Sequence, residues 1–307
     1  MNPLSLVHRV RAGTRPVPGM TSAPAALAEG DRATAALPDP LGRLGSLDIA
    51  IARTPGEIRA LQRLRYRVFY DEMSAVPDAR ARLARRDVDA FDPICDHLVV
   101  RDNDLVEGRP GRRRAAVVGT YRLLRQEVAA RHGGFYTARE YDIAPLLARH
   151  PERRFLELGR SCVRDGYRDK RTVELLWHGL WVYVLAHDRT AMIGCVSFEG
   201  TDPARLALPL SYLHHFHRSP EEWRARALPD RYVEMNRLPR EAIDMKAALR
   251  ALPPLVKGYL RLGATVCDGA VIDRQFGTTD IMMVLLRESI NPRYVAYYGA
   301  DASRHAA

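Results

Sequence analysis

FLELGRSCV (155–163), TVELLWHGLWVYVLA (172–186) and TAMIGCVSF (190–198) follow one another with only short polar joints between them. The outer two are short apolar runs of strand length. The middle one is apolar almost all round, as a helix buried against a sheet would be. Together they predict strand–helix–strand, the unit from which mixed α/β sheets are built.

Upstream, LDIAIAR (47–53) alternates like a half-buried strand. Thr54, Pro55 and Glu57 then spell a capping box with proline at the first helical position. Ile58, Leu61, Leu64 and Val68 keep helical spacing, so a helix of about four turns is expected. A polar, Arg-rich stretch (78–87) leads to HLVVRD (97–102) and AAVVGTYRLL (115–124), two strands joined by the turn-rich NDLVEGRPGRRR. Downstream, 202–255 reads as a helical, loop-rich segment, and GATVCDGAVI (263–272) and TTDIMMVLL (278–286) as the last strands. Residues 1–46, rich in Pro, Ala and Gly without a period, read as a disordered tail. The domain is expected over 47–300, with 301–307 a disordered end.

The chain has 307 residues, 47% apolar and 27% charged, the balance of a globular protein. No apolar run approaches the roughly 18 residues that cross a bilayer, and the first residues lack a secretory h-region. Four scattered cysteines fit neither a disulfide framework nor a metal-ligand spacing, so reduced thiols in a cytoplasmic protein are expected. There are 47 basic and 37 acidic residues, hence +10, with lysine only at 170, 246 and 257. That excess favours acidic partners such as carrier proteins or anionic membrane surfaces. The arginines are interleaved with Asp and Glu and form no aromatic-spaced stripe, which argues against nucleic acid.

Charged residues concentrate on apolar elements in four places: RYRVF (65–69), DAFD (89–92), GTYRLL (119–124) and ELGR (157–160). Charges on core-facing elements are costly unless paired. Asp89, Asp92 and Glu157 could simply neutralise Arg65, Arg122 and Arg160 in a structural network, or the set could be a site.

The set Arg65-x-x-x-Phe69, Asp89-x-x-Asp92, Arg122 and Glu157-x-x-Arg160 resembles, in order and spacing, that of acyl-homoserine-lactone (autoinducer) synthases, acyltransferases of the GNAT fold. The longer phrases LRYRVFYDEM, D-x-DAFDPICDHLVV (from Asp87), LELGRSCV, SYLHHFH and LPPLVKGYLRLGA are similar to those of ornithine N-acyltransferases that make lyso-ornithine lipid. The resemblance runs from about Leu47 to Tyr298. It implies a GNAT-like mixed sheet with splayed strands, flanking helices, a helical insertion and C-terminal strands. It also implies transfer of a 3-hydroxyacyl group from acyl carrier protein to the α-amino group of ornithine, at the cytoplasmic face of the inner membrane. An autoinducer synthase, or an N-acyltransferase for another amino acid such as glycine, is the alternative. Two departures bear on this. Ala75 stands where autoinducer synthases carry tryptophan, and Arg168–Val173 lacks the glycines of a pyrophosphate loop. Without them coenzyme A is disfavoured, and phosphopantetheine borne by the carrier is the expected donor, with no separate cofactor.

An amine that attacks a thioester must lose a proton, so a base is needed within reach. Glu157 is the candidate, with Arg160 beside it. Arg65, Phe69 and Arg122 are expected at the substrates, Asp89 and Asp92 on the arginines or on cationic groups of the acceptor. Backbone at Ser161, Cys162 and Val163 is expected to serve the oxyanion or the pantetheine. In a regular strand Glu157 and Arg160 face opposite ways, so a β-bulge at Gly159 is predicted to re-aim one of them. His214, His215 and His217 lack partners of metal-ligand spacing and read as a polar helix end rather than a metal site.

Overall fold

The computed structural model describes residues 37–73, 75–108 and 113–298. Chain order is β1 (Gly42–Leu44), β2 (Leu47–Ile51), α1 (Pro55–Tyr66), α2 (Ala79–Ala84), β3 (Asp96–Glu107), β4 (Arg114–Arg125), α3 (Gln126–Arg131), β5 (Tyr141–Asp142), α4 (Ala144–Arg149), β6 (Phe155–Val163), α5 (Lys170–Ala186) and β7 (Ala191–Glu199). There follow α6 (Ala207–Phe216), β8 (Arg226–Ala227), β9 (Tyr232–Val233), α7 (Met245–Ala251), α8 (Pro254–Arg261), β10 (Thr265–Asp273), β11 (Thr278–Leu286) and α9 (Pro292–Tyr298). The strands form one mixed sheet in the order β1-β2-β3-β4-β6-β7-β11-β10-β8-β5, with β9 beside β10. β6 and β7 run parallel, joined through α5, as the sequence predicts.

Ordered structure already covers 37–46, ahead of the boundary expected at 47. Leu37 and Leu41 are buried, β1 pairs with β2, and the Leu41 carbonyl lies 3.1 Å from His178 Nε2 on α5. The turn-rich composition of 37–46 hid a three-residue edge strand anchored by its leucines. Residues 1–36 and 299–307, the bulk of the predicted tail and end, lie outside the described residues. The segment 202–255 is less helical than expected: α6 and α7 are separated by the short β8 and β9. After β11 a short helix, α9, follows where only strands were anticipated.

Each face of the sheet carries a core. On one, α5 packs so closely that a Cβ at Gly179 would lie 2.5 Å from Ile49 Cδ1. On the other, Phe155, Ile193, Met282 and Val284 pack with Tyr141 and Leu146. Among the described residues, no helix is long and apolar enough to cross a membrane.

α1 starts as its sequence dictates. Thr54 accepts the Glu57 N–H at 3.2 Å, and Glu57 accepts the Thr54 N–H at 2.9 Å. Its end is irregular: Arg67–Glu72 continue as a π-turn, closed by Met73 N–H on the Val68 carbonyl. Such turns recur at functional sites, because one extra residue per turn re-aims the side chains that follow. Phe69 sits in this turn and faces the cleft described next.

Candidate active site

β6 and β7 pair only from Phe155↔Ala191 to Glu157↔Ile193 and then diverge. Where they part, a Cβ at Gly194 would lie 2.2 Å from the Leu158 carbonyl oxygen, so only glycine fits. The splay opens a cavity of about 740 Å³, bounded by 157–163 of β6, Gly194–Ser197 of β7, and Phe69, Trp177 and Tyr259.

A bulge does re-aim the chain here, one residue beyond Gly159. Arg122 pairs with Gly159 and Thr120 with Cys162, so Arg160 and Ser161 together face the single Tyr121. Arg160 takes the strained left-handed conformation at φ +51°. Its guanidinium lies over the rings of Tyr136 (5.0 Å) and Phe276 (4.8 Å), and Phe69 meets Phe276 edge-on.

The bulged arginine completes a ring of six charges. Arg65 contacts Asp92 (2.7 Å), Asp92 contacts Arg122 (3.5 Å), and Arg122 contacts Asp89 (2.9 Å). Asp89 contacts Arg160 (2.9 Å), Arg160 contacts Asp87 (3.4 Å), and Asp87 returns to Arg65 (2.8 Å). Three guanidiniums and three carboxylates alternate, so the ring carries no net charge. Burial alone would raise the Asp92 and Asp89 carboxyls. Their arginine neighbours outweigh it, Arg65 for Asp92 and Arg122 and Arg160 for Asp89, and hold both below the ordinary range. Of the ring, only Arg122 and Arg160 line the cavity. Direct substrate contact by Arg65, Asp89 and Asp92, as the sequence suggests, therefore finds no support: Arg65 has no exposed surface, and the two aspartates are spent on guanidiniums. Asp87 stands in the family phrase D-x-DAFD, but the sequence reading gives it no role in the site.

Glu157 stands outside the ring and is not the partner of Arg160. Its two oxygens accept the N–H groups of Tyr136 (3.0 Å) and Thr137 (2.6 Å), which open the 3₁₀ turn Tyr136–Arg139. Burial raises its carboxyl above the ordinary value, although the bonds from Thr137 and Tyr136 oppose this. Alternation puts Glu157 on the same sheet face as Ile193, hence as Cys195 and Ser197.

Ser161, Cys162 and Val163 line the cavity as expected. Burial pushes the Cys162 thiol up to about 12, which rules it out as a thiolate nucleophile at neutral pH. At the start of α5 the Asp169 carboxylate accepts the Thr172 N–H at 2.9 Å, so a negative group stands at this helix N-terminus. His215 and His217 bond to the Leu238 carbonyl and the Tyr212 hydroxyl respectively, holding the end of α6. A second group that sequence reasoning missed also lines the cleft: Glu140, at the end of a 3₁₀ turn, meets Asp273 and Asp280 of the β10–β11 hairpin, far on in the chain.

A splayed parallel pair, a bulge at the split and a buried carboxylate beside it define an acyltransferase of the GNAT class, and residues 64–178 match the family model described as an acetyltransferase (GNAT) domain. Over 266 residues the chain is 54% identical to the L-ornithine N(alpha)-acyltransferase of Rhizobium meliloti (strain 1021), covering 87% of this chain and 88% of that one. Over 264 residues it is 52% identical to the enzyme of the same name from Brucella abortus (strain 2308), covering 86% and 92%. The chain belongs to the L-ornithine N(alpha)-acyltransferase family. The structure of FeeM, an N-acyl amino acid synthase from uncultured soil microbes, overlays with a TM-score of 0.42 at 10% identity, covering 78% of this chain and 90% of that one.

Proposed function

We propose that this enzyme transfers a 3-hydroxyacyl group from acyl carrier protein to the α-amino group of L-ornithine, giving lyso-ornithine lipid. The observation that carries the reading is Glu157, buried at the point where β6 and β7 part and lining the cleft that would hold the thioester. The α-ammonium loses a proton to Glu157, directly or through one water. The free amine attacks the carbonyl, the C–N bond forms, the C–S bond breaks, the nitrogen gives up a second proton to the released phosphopantetheine thiolate, and Glu157 returns its own proton to solvent. Two bonds from the amides of Tyr136 and Thr137 leave the carboxylate further lone pairs for this work. A bulged strand leaves a backbone group outside the ladder, and an N–H at Arg160–Ser161 would meet the oxyanion. Arg122 and Arg160, steadied by the ring, would orient the pantetheine or the acceptor's carboxylate, with Phe69 against the acyl chain.

The donor side rests on two features: residues 168–173 lack glycine and the Asp169 carboxylate caps the Thr172 amide at the start of α5. Both favour carrier-borne phosphopantetheine over coenzyme A. Exposed Val76, Leu83 and Val88 flank Arg80 and Arg82 on and around α2, beside the cleft residue Met73, a surface suited to an anionic inner membrane into which the product would pass.

Glu157→Gln tests the base. Gln can accept only one of the two amide hydrogens, so a destabilisation of about 1–3 kcal/mol is expected. The turnover of the folded variant should fall about 10²–10⁴-fold. That deficit should shrink as pH rises toward the amine's own pKa, because free amine then arrives from solution. The wild-type rate should fall as pH drops through a value above the ordinary carboxyl range, where Glu157 takes up a proton. A folded variant with near-normal turnover across pH would remove Glu157 from the chemistry.

A further inference from the structure

Alternation along β7 places Cys195, Ser197 and Glu199 on one face, directly opposite Met282, Asp280 and Thr278 of β11. Asp273, at the end of β10, pairs with Thr278. Glu140 closes the 3₁₀ turn whose first amides Glu157 holds. One oxygen from each of Glu140, Asp273 and Asp280 lies within 4.8 Å of the others, and all three residues line the cleft. Glu140 is 3% exposed and Asp280 7%. Even so, Oε2 of Glu140 and Oδ1 of Asp280 have no hydrogen-bond partner among the described residues. The groups around them supply the missing charge only in part. The Cys195 thiol lies beside Glu140, and the Ser197 and Thr278 hydroxyls beside Asp280. Arg231 stands 3.9 Å from the other oxygen of Glu140, and Arg160 acts on Asp280 only at longer range. Two buried, like-charged carboxylates with open lone pairs are an expensive arrangement, and a cation arriving from the cleft would relieve it. Burial raises both carboxyls, aided by repulsion from Asp280 at Glu140 and from Asp273 at Asp280, against weaker hydrogen bonding from Cys195 and from Ser197 and Thr278 respectively.

We propose that Glu140, Asp280 and Asp273 form a subsite for the side-chain ammonium of the amino-acid acceptor, and that this subsite selects a diamino acid over a neutral one. The inference rests on the acceptor reading above and assigns residues to it. An ammonium brings three N–H donors, one for each carboxylate. The reach also fits. Glu157 lies level with Ile193, and Glu140 meets β7 at Cys195, two residues or roughly 6–7 Å further along. Five single bonds of about 1.5 Å separate the two nitrogens of an extended ornithine, a similar span. The α-amine can therefore stand at Glu157 while the δ-ammonium reaches the cluster. Asp89 and Asp92, which the sequence offers for cationic groups of the acceptor, are already neutralised in the ring.

The test compares L-ornithine with L-norvaline, the same skeleton without the δ-amine, using the full chain and one acyl donor. Wild type should use ornithine at least 10²-fold better in kcat/KM. Asp280→Asn and Glu140→Gln should cut the ornithine-to-norvaline ratio tenfold or more, mainly through the KM for ornithine. Both should melt no earlier than wild type, since each relieves the repulsion among the three carboxylates. Ornithine alone should raise the wild-type melting temperature and raise that of the variants much less. Equal use of both amino acids by wild type, or an unchanged ratio in the variants, would overturn the subsite while leaving acylation of ornithine intact. Failure of wild type to acylate either amino acid would overturn the acceptor reading and the subsite together. Stabilisation by Mg²⁺, Ca²⁺ or Mn²⁺ alone, with ornithine ineffective without the metal, would make the cluster a metal site and equally refute the proposal.

Discussion

Arg65 has no exposed surface, and its guanidinium is spent on Asp92 and Asp87. Arg65→Met leaves those two carboxylates buried and undercompensated, so stability should fall by about 3–5 kcal/mol. Urea midpoints at pH 7 measure this; a loss below 1 kcal/mol would mean the ring is ornamental. The acid dependence has a definite sign. Asp92 is held below its ordinary value, so its contribution is complete above about pH 4, where the unfolded carboxyl ionises, and is lost as pH falls toward the folded value. Wild-type midpoints should therefore decline below pH 4 more steeply than those of Asp92→Asn. At this scale the sequence made the ring's arginines and two of its aspartates visible, because short spacings on single elements bring them together. It did not show that Glu157 and Arg160 have different partners, nor that Glu140 and Asp280 meet. Those contacts join elements 20 to 140 residues apart through the packing of strands and turns, which no local spacing encodes.

The bulge and the splay act at the level of the strand. A kink between Glu157 and Arg160 was legible because alternation forbids both side chains from sharing a face. The chain kinks at Arg160 itself rather than at the more permissive Gly159, since only there do the ring carboxylates Asp87 and Asp89 receive the guanidinium. Ion pairing and the rings of Tyr136 and Phe276 offset a backbone strain of roughly 1–3 kcal/mol. Gly194 carries the other half of the device. Gly194→Ala forces a Cβ onto the Leu158 carbonyl, so β7 must move where the thioester would bind. A folded but destabilised protein with kcat lowered at least tenfold is expected; full activity with an unchanged melting temperature would mean that the splay tolerates a side chain. The π-turn at Arg67–Glu72 left no signal in the sequence, for Arg67, Val68 and Phe69 satisfy an ordinary helical period as well.

Across the whole molecule, the mixed sheet divides the work between its faces, with α5 and its core behind and the charged side chains of β4, β6, β7 and β11 in front. The front face brings the ring and the acidic cluster to one cleft, so a basic protein offers a locally acidic pocket to a cationic acceptor. The surplus of positive charge is left outside the cleft, where it would suit the acidic carrier and anionic membrane proposed above. Composition made that surplus legible, while the placing of opposite sign inside the cleft became visible only with the fold. The central claim is acylation of ornithine at its α-nitrogen from a carrier-borne donor. Mass spectrometry of reactions containing the purified chain, L-ornithine, and the same 3-hydroxyacyl chain on either acyl carrier protein or coenzyme A tests it most directly. Nα-acylornithine should form much faster from the carrier, with that preference weakened as salt screens the encounter. Acyl groups at the δ-nitrogen, no acylated ornithine, or equal use of coenzyme A at every salt concentration would contradict the account.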